Sequence, residues 1–121
     1  MLPSISPVQT EAWKTLTAHQ LLMKARTIRS MFEEDPERFN SMSLTLGDIL
    51  FDYSKNIADA STLRMLFDLA KESGVKEAIV AMFSGEAINR TENRSVLHTA
   101  LRNFSGEPVY SEGKDVMPEV R

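Results

Sequence analysis

"SMSLTLGDILFDYS", residues 41–54, is the stretch that decides the fold class of this chain. Apolar side chains alternate here with Ser43 and Thr45, and a second alternating run follows the Gly47–Asp48 pair. Two runs with a period of two residues around such a pair predict a β-hairpin over about residues 42–53. An isolated hairpin is only marginally stable in water, so helices or further strands must cover it.

The sequence on both sides of the hairpin has helical periodicity. Apolar residues recur three and four positions apart, which predicts helices over 7–17, 19–34, 60–73, 75–83 and 90–103. Ser6 before Pro7, and Thr17 with Gln20, have the spacing of helix-capping residues. The helix over 75–83 is apolar nearly all round and therefore requires burial on several sides. The predicted class is mainly α with one small β-hairpin, an α+β arrangement.

The C-terminal stretch differs in composition from the rest. Residues 105–121 are rich in turn-forming residues and have little periodicity until Pro118, which is placed like the first residue of a helix. We therefore predict a helical N-terminal segment over 1–104 and a loop over 105–121. That loop leads into a downstream helix of which we expect only the opening to be present.

Composition and charge exclude several classes of function. The net charge is −3, with 14 basic and 17 acidic residues, which argues against a protein that binds nucleic acid through a basic face. The absence of cysteine excludes disulfides, thiolate zinc sites and thiol catalysis. The longest wholly apolar run, residues 78–83, is too short to span a bilayer, and no signal peptide is predicted at the N-terminus.

Three cationic side chains are the best candidates for a functional site. Arg94, His98 and Arg102 are spaced four residues apart, so they would form a row along the last predicted helix. Arginine matches the geometry of phosphate and carboxylate groups, and one interpretation is an anion site. The other is a structural anchor, in which the row binds carboxylates or main-chain carbonyls of another element. Asp48 and Asp52 of the hairpin are candidate partners.

Other kinds of chemistry have little support. The glycines form neither a phosphate-binding loop nor a dinucleotide fingerprint, and the two histidines have no ligand-like spacing. Lys55 could serve as a catalytic lysine, but an exposed lysine at a strand end is far more common. We predict no catalytic, cofactor-binding or metal-binding residue in this chain.

Three motifs resemble the N-terminal part of the glucose-6-phosphate isomerase (phosphoglucose isomerase) family. They are "FDYSKN" at 51–56, "MFSGEAIN" at 82–89 and "INRTENRSVLHTALRN" at 88–103. The order and spacing of the motifs are similar to those of the family, and the resemblance covers nearly the whole chain from about Trp13. Ala87 departs from the pattern, because a lysine is common there.

The resemblance implies an N-terminal fragment of a much longer enzyme. That enzyme would be a cytoplasmic homodimer of sugar-isomerase α/β domains in glycolysis and gluconeogenesis. It would interconvert glucose 6-phosphate and fructose 6-phosphate without a metal or redox cofactor. The family's catalytic residues lie downstream, so we expect the isolated chain to be inactive. Its partners would be the rest of the enzyme and a second subunit, with no nucleic acid or membrane. The alternative is a free-standing helical interaction module without catalysis.

Overall fold

The computed structural model describes residues 4–120 of the chain. These residues form two compact units, one comprising Pro7–Leu69 and the other comprising 4–6 with 70–120. The predicted division into a helical segment over 1–104 and a loop over 105–121 stays a prediction.

The first unit contains helices around one hairpin. After a short 3-10 turn, its elements are α1 Glu11–Met23, α2 Ile28–Glu34, α3 Arg38–Ser41, β1 Ser43–Leu46, β2 Ile49–Asp52 and the start of α4 Ala60–Glu72. The second unit follows from within α4. Its elements are α5 Val75–Phe83, a 3-10 turn at Ala100–Arg102, β3 Tyr110–Ser111, β4 Lys114–Asp115 and α6 Met117–Val120. The predicted class, mainly α with a small antiparallel hairpin, is confirmed.

The break between the first two helices lies further along the chain than predicted. We predicted helices over 7–17 and 19–34, whereas α1 continues through that gap. The Thr17 hydroxyl, expected to cap a helix, donates instead to the Trp13 carbonyl one turn earlier, at 2.9 Å. Because a threonine can bond back in this way inside a continuous helix, its presence does not mark a boundary.

Side-chain caps at other residues set the observed boundaries. Thr10 Oγ1 accepts a hydrogen bond from the Trp13 N–H at 3.1 Å, which begins α1 after the 3-10 turn Pro7–Gln9. Thr27 Oγ1 accepts the Ser30 N–H at 3.1 Å, and Ser30 Oγ accepts the Thr27 N–H at 3.2 Å. This reciprocal capping box satisfies two main-chain donors and begins α2.

The predicted hairpin is confirmed. Leu44 pairs with Phe51 and Leu46 pairs with Ile49 in an antiparallel register. Two residues connect the strands, and the first of them, Gly47, has a φ of +56°. A positive φ at the first turn position favours glycine and matches the right-handed twist of the strands.

The two helices after the hairpin are also confirmed. α4 spans Ala60–Glu72 and α5 spans Val75–Phe83, against predictions of 60–73 and 75–83. Gly74 lies between them with a φ of +69°, the left-handed conformation that ends a helix.

The predicted helix over 90–103 is wrong. Asn89 and Glu92 have the spacing of a helix-capping pair, and the Glu92 N–H donates to Asn89 Oδ1 at 3.3 Å. The backbone then reverses at Asn93, which has a φ of +50°. Asn89 and Arg94 consequently exchange two main-chain hydrogen bonds, at 3.1 and 3.2 Å. The residues that resembled a helix start close a turn, because asparagine stabilises both.

The apolar side chains of this stretch were expected to form one buried face of the helix, and they do not. Between residues 89 and 103, all described, regular helical geometry is restricted to the 3-10 turn Ala100–Arg102. Ala100 is buried, whereas Leu101 is exposed and Phe104 is 94% exposed. These side chains do not share one buried face.

The C-terminal stretch is more ordered than a loop. β3 and β4 form a second small hairpin, which the sequence analysis did not predict. Glu112 and Gly113 connect its strands with φ angles of +52° and +78°. Positive φ at both turn positions is the requirement of a type I′ turn. The helical opening predicted near Pro118 is present as α6.

The buried hydrophobic side chains are short or flexible. Within residues 4–120 they are four methionines and four alanines: Ala12, Met23, Met31, Met42, Ala58, Ala81, Ala100 and Met117. Many large aliphatic and aromatic side chains are exposed, including Val80 and Phe83 of α5 and most of the first hairpin. Much of the apolar content of this chain is therefore available for contact with other surfaces.

Candidate functional site

The structure separates the three cationic residues of the predicted row. Arg94 lies in the turn after Asn89, while Arg102 ends the 3-10 turn, and all three side chains are exposed. Arg94 forms an ion pair with Glu92 at 2.6 Å, and Arg102 Nη1 donates to the His98 carbonyl at 3.2 Å. These partners belong to the same stretch of chain, so the contacts shown are local. The predicted contacts with Asp48 or Asp52 stay a prediction.

Two members of the row line a cavity of about 640 Å³ in the second unit. Arg94 and His98 contribute to its wall, and Arg102 is not among its lining residues. Glu112 and Glu119 also line it, and the Lys114 ammonium beside Glu119 holds the pKa of that carboxyl below its usual value. The wall therefore carries both the positive charge of Arg94 and the negative charges of Glu112 and Glu119, an arrangement that does not strongly favour the binding of an anion. The anion role of Arg94, His98 and Arg102 stays a prediction.

A network of small residues supports the wall of this cavity. Ser95 Oγ donates to the Gly85 carbonyl, and Ser111 Oγ donates to Ser95 Oγ at 2.9 Å. Gly85 is buried with a φ of +76°, and a β-carbon built there would lie 1.7 Å from the Tyr110 carbonyl oxygen. Only glycine permits this approach of the two backbones. The sequence predicted the end of a helix at residue 83 but gave no sign of the contact between Gly85 and β3.

In the first unit, a buried arginine organises the loop after the first hairpin. Arg38 is 3% exposed and donates to the carbonyls of Ser54, Asn56 and Ala58 at 2.8, 2.8 and 2.7 Å. Its guanidinium carbon lies 5.7 Å from the centre of the Phe32 ring. The planar fork of arginine supplies several donors at once, so one side chain fixes three carbonyls. Sequence reasoning missed Arg38, because no local pattern marks a contact with carbonyls so far along the chain.

The same loop is fixed from its other side by Asp52. Asp52 Oδ1 accepts the Ser54 N–H at 2.9 Å and the Ser54 hydroxyl at 2.6 Å, and Lys55 Nζ pairs with the other carboxylate oxygen. The hydrogen bonds from Lys55 and Ser54 lower the pKa of Asp52 to about 2. Lys55, considered above as a catalytic lysine, is thus paired with Asp52, the last residue of β2.

His19 links α1 to the start of α4. Its Nε2 lies 2.8 Å from Thr62 Oγ1 and 3.5 Å from Asp59 Oδ1. Because the Thr62 hydroxyl donates its proton to Asp59, His19 Nε2 is the donor to Thr62. Burial opposes ionisation of Asp59, but hydrogen bonds from Thr62 and the neighbouring His19 hold its pKa below the usual value.

Within residues 4–120, no group of three or more His, Asp or Glu side chains is placed to hold a metal ion. In the same described part of the chain, no helix is both long and apolar enough to cross a bilayer.

Comparison with known proteins gives the family of this chain. The family model described as phosphoglucose isomerase matches residues 52–121, more than half of the chain. The chain belongs to the phosphoglucose isomerase family. A glucose-6-phosphate isomerase from Desulforapulum autotrophicum is 51% identical over all 121 residues. This chain spans 22% of the length of that relative.

The family match includes every cluster described in the second unit. It covers the turn at Asn89, the Gly85 contact and the C-terminal hairpin, and it begins at Asp52 in the first unit. The matching family model and the relative named above are both those of this isomerase, and neither supports a free-standing interaction module.

Proposed function

We propose that this chain is the N-terminal segment of a glucose-6-phosphate isomerase, which interconverts glucose 6-phosphate and fructose 6-phosphate. The observation that carries the proposal is the 51% identity, over the whole chain, to a relative with that name. The segment's own contribution is structural: it supplies packed turns and exposed apolar surface to the enzyme rather than reacting groups.

The state of its carboxylates supports a structural role. Isomerisation moves a proton between C2 and C1 through an enediolate, and it needs a base whose pKa lies near the working pH. Asp52 has a pKa of about 2 and is held by Lys55 and Ser54. Asp59 is held by Thr62, and its pKa is also lowered. Carboxylates stabilised in the charged form in this way are weak bases, so these groups suit structural bonds better than proton abstraction.

The partners follow from the same proposal. The substrate of the whole enzyme is a sugar phosphate, and this segment binds the remaining polypeptide of that enzyme. A second subunit completes a homodimer, and the enzyme acts in the cytoplasm in glycolysis and gluconeogenesis. The reaction uses no metal or redox cofactor.

The experiment is a segment exchange. This chain replaces the matching 22% of the Desulforapulum autotrophicum enzyme, and the product, here called the graft, is assayed for isomerase turnover by a coupled reaction. We expect turnover from the graft and none from the 121-residue chain, both purified from a host that lacks its own isomerase. The relative without its matching segment is the control.

Two outcomes would contradict the proposal. A folded graft without turnover would show that the segment does not replace its counterpart. Turnover by the 121-residue chain that survives purification, and is lost on a substitution within it, would show that a catalytic group lies here.

A further inference from the structure

One short sequence pattern occurs twice in this chain, in two different structural settings. An arginine is followed three positions later by a serine in "RFNS", residues 38–41, and again in "RNFS", residues 102–105. Many serine kinases recognise an arginine at that distance before the serine that they phosphorylate, because carboxylates of the kinase pair with its guanidinium. The sequence alone does not distinguish the two serines, whereas the structure does.

In the first copy, the arginine is already committed to contacts inside the protein. Arg38 is 3% exposed, and its guanidinium donates to three main-chain carbonyls of the loop after the first hairpin. Ser41 is the last residue of α3, and its hydroxyl donates to the Arg38 carbonyl at 3.2 Å. A kinase could recognise this copy only after the contacts of Arg38 had broken and the helix had opened.

In the second copy, the arginine and the serine are both exposed. Arg102 ends a 3-10 turn, and the next strand begins at Tyr110, so Ser105 lies in a stretch without helix or strand. The Arg102 guanidinium donates to the His98 carbonyl at 3.2 Å, an exposed contact that water can replace at little cost. Phe104, which lies between the arginine and the serine, is 94% exposed. A partner can therefore reach the whole pattern from solvent.

The hydrogen bonds shown for Ser105 join it to neighbours in the same loop. Its Oγ donates to Asn103 Oδ1 at 2.6 Å and accepts the Glu107 N–H at 3.1 Å. Each of these bonds spans two residues of the chain. The segment can therefore extend into the cleft of a kinase without the opening of a helix or strand.

We propose that Ser105 is a phosphorylation site for a serine kinase that recognises Arg102. In the reaction, Ser105 Oγ attacks the γ-phosphorus of ATP, and the bond from that phosphorus to the oxygen that bridges it to the β-phosphate breaks. The hydroxyl proton passes to the catalytic aspartate of the kinase, and ADP leaves. The inference concerns a modification of this segment, and it does not depend on the proposed isomerase function.

The test compares the two serines in the folded chain and in peptides. The 121-residue chain is incubated with ATP and a calmodulin-dependent protein kinase, used as a probe that requires arginine three residues before serine. Synthetic peptides of residues 35–44 and 99–108 are treated in the same way. Phosphopeptide mass spectrometry measures the initial rate at Ser41 and at Ser105, which trypsin places in different peptides.

We expect Ser105 to react at comparable rates in the chain and in its peptide. In the chain, Ser105 should react about 100-fold faster than Ser41, because Ser41 reacts only after local opening. Arg102→Ala should lower the rate at Ser105 by about tenfold. The control Arg90→Ala removes an exposed arginine outside both patterns and should leave that rate unchanged.

Three results in the chain would overturn the proposal. They are no phosphorylation of Ser105, a rate at Ser105 no higher than that at Ser41, and an unchanged rate in Arg102→Ala. The first would show that the loop does not enter the kinase cleft. The second would show that the two structural settings do not differ in access, and the third that the arginine is not recognised.

The graft shows whether Ser105 stays accessible when the segment is joined to the rest of an enzyme. We expect phosphorylation of Ser105 in the graft, and its absence there overturns the proposal whether or not the graft turns over substrate. Isomerase turnover is measured on the same samples before the kinase is added. A graft that is phosphorylated at Ser105 but lacks turnover would contradict the proposed function and support the modification site.

Discussion

Replacing Gly85 by alanine tests the close approach of two backbones in the second unit. Gly85 has a φ of +76°, and a β-carbon there would lie 1.7 Å from the Tyr110 carbonyl oxygen and 2.9 Å from its carbonyl carbon. Both atoms belong to the backbone of β3, so a side-chain rotation cannot relieve the overlap. The strand must move away, and the hydrogen bond between Ser111 and Ser95 moves with it.

The expected cost has two parts. A left-handed φ costs an alanine about 1–2 kcal/mol relative to glycine. Overpacking that displaces backbone typically costs a further 1–3 kcal/mol, so Gly85→Ala should lower the free energy of unfolding by about 2–5 kcal/mol. Gly113 provides a matched control, because its φ is +78° and no atom lies within 4 Å of a β-carbon built there. Gly113→Ala should therefore show only the first part, about 1–2 kcal/mol.

Urea unfolding of the two variants and the unsubstituted chain, followed by circular dichroism, measures both free energies. The difference between the variants isolates the contact with Tyr110, because the φ angles of the two glycines are nearly the same. If Gly85→Ala costs no more than Gly113→Ala, the two backbones do not approach as described, and the reasoning is refuted.

Three other substitutions or conditions give separate expectations. Arg38→Ala leaves three main-chain carbonyls without a donor and should lower the free energy of unfolding by about 3 kcal/mol or more. The control is Arg29→Ala, which removes an exposed side chain of α2 and should change the stability to urea little. Equal effects of the two substitutions would contradict the role of Arg38 in holding the loop. The pKa of Asp52 falls from 3.8 to about 2 on folding, so its carboxylate stabilises the chain above pH 3.8 and loses that effect as the pH falls towards 2. Asp52→Asn should therefore make the urea midpoint depend less on pH between about 2 and 3.8, and Asp48→Asn is the control. If Asp52→Asn leaves the pH dependence unchanged, groups other than Asp52 cause the loss of stability in acid. The 121-residue chain alone should show no isomerase turnover above a buffer blank in the coupled assay.

Elements whose signals are local could be predicted from the sequence. The alternation around Gly47 is compatible only with a hairpin, and the apolar periodicity of α4 and α5 only with helices. All three elements were predicted correctly. The stretch after Asn89 was predicted wrongly because its asparagine and glutamate can cap a helix or close a turn. The choice depends on the left-handed Asn93 and on the return bonds from Arg94, which periodicity does not encode.

The clusters that hold the loops together were less predictable than the helices. Arg38 binds carbonyls 16 to 20 residues away, and His19 binds Thr62 43 residues away. Such contacts depend on how elements pack, and a single sequence shows only which residues are available. The motif at 88–103 identified the family correctly, although the helix predicted over the same residues was wrong. A motif reflects common ancestry whatever local structure its residues adopt.

The buried methionines make the interior of each unit sensitive to oxidation. Met23, Met31, Met42 and Met117 are each at most 8% exposed. Oxidation of a thioether to the sulfoxide adds a polar oxygen and stiffens a side chain whose flexibility filled the gaps between helices. Peroxide reaches such sulfur atoms mainly when the packing opens, so each oxidation event would make the next opening easier. Damage of this kind would spread from inside the segment while its exposed apolar surface remained chemically unchanged.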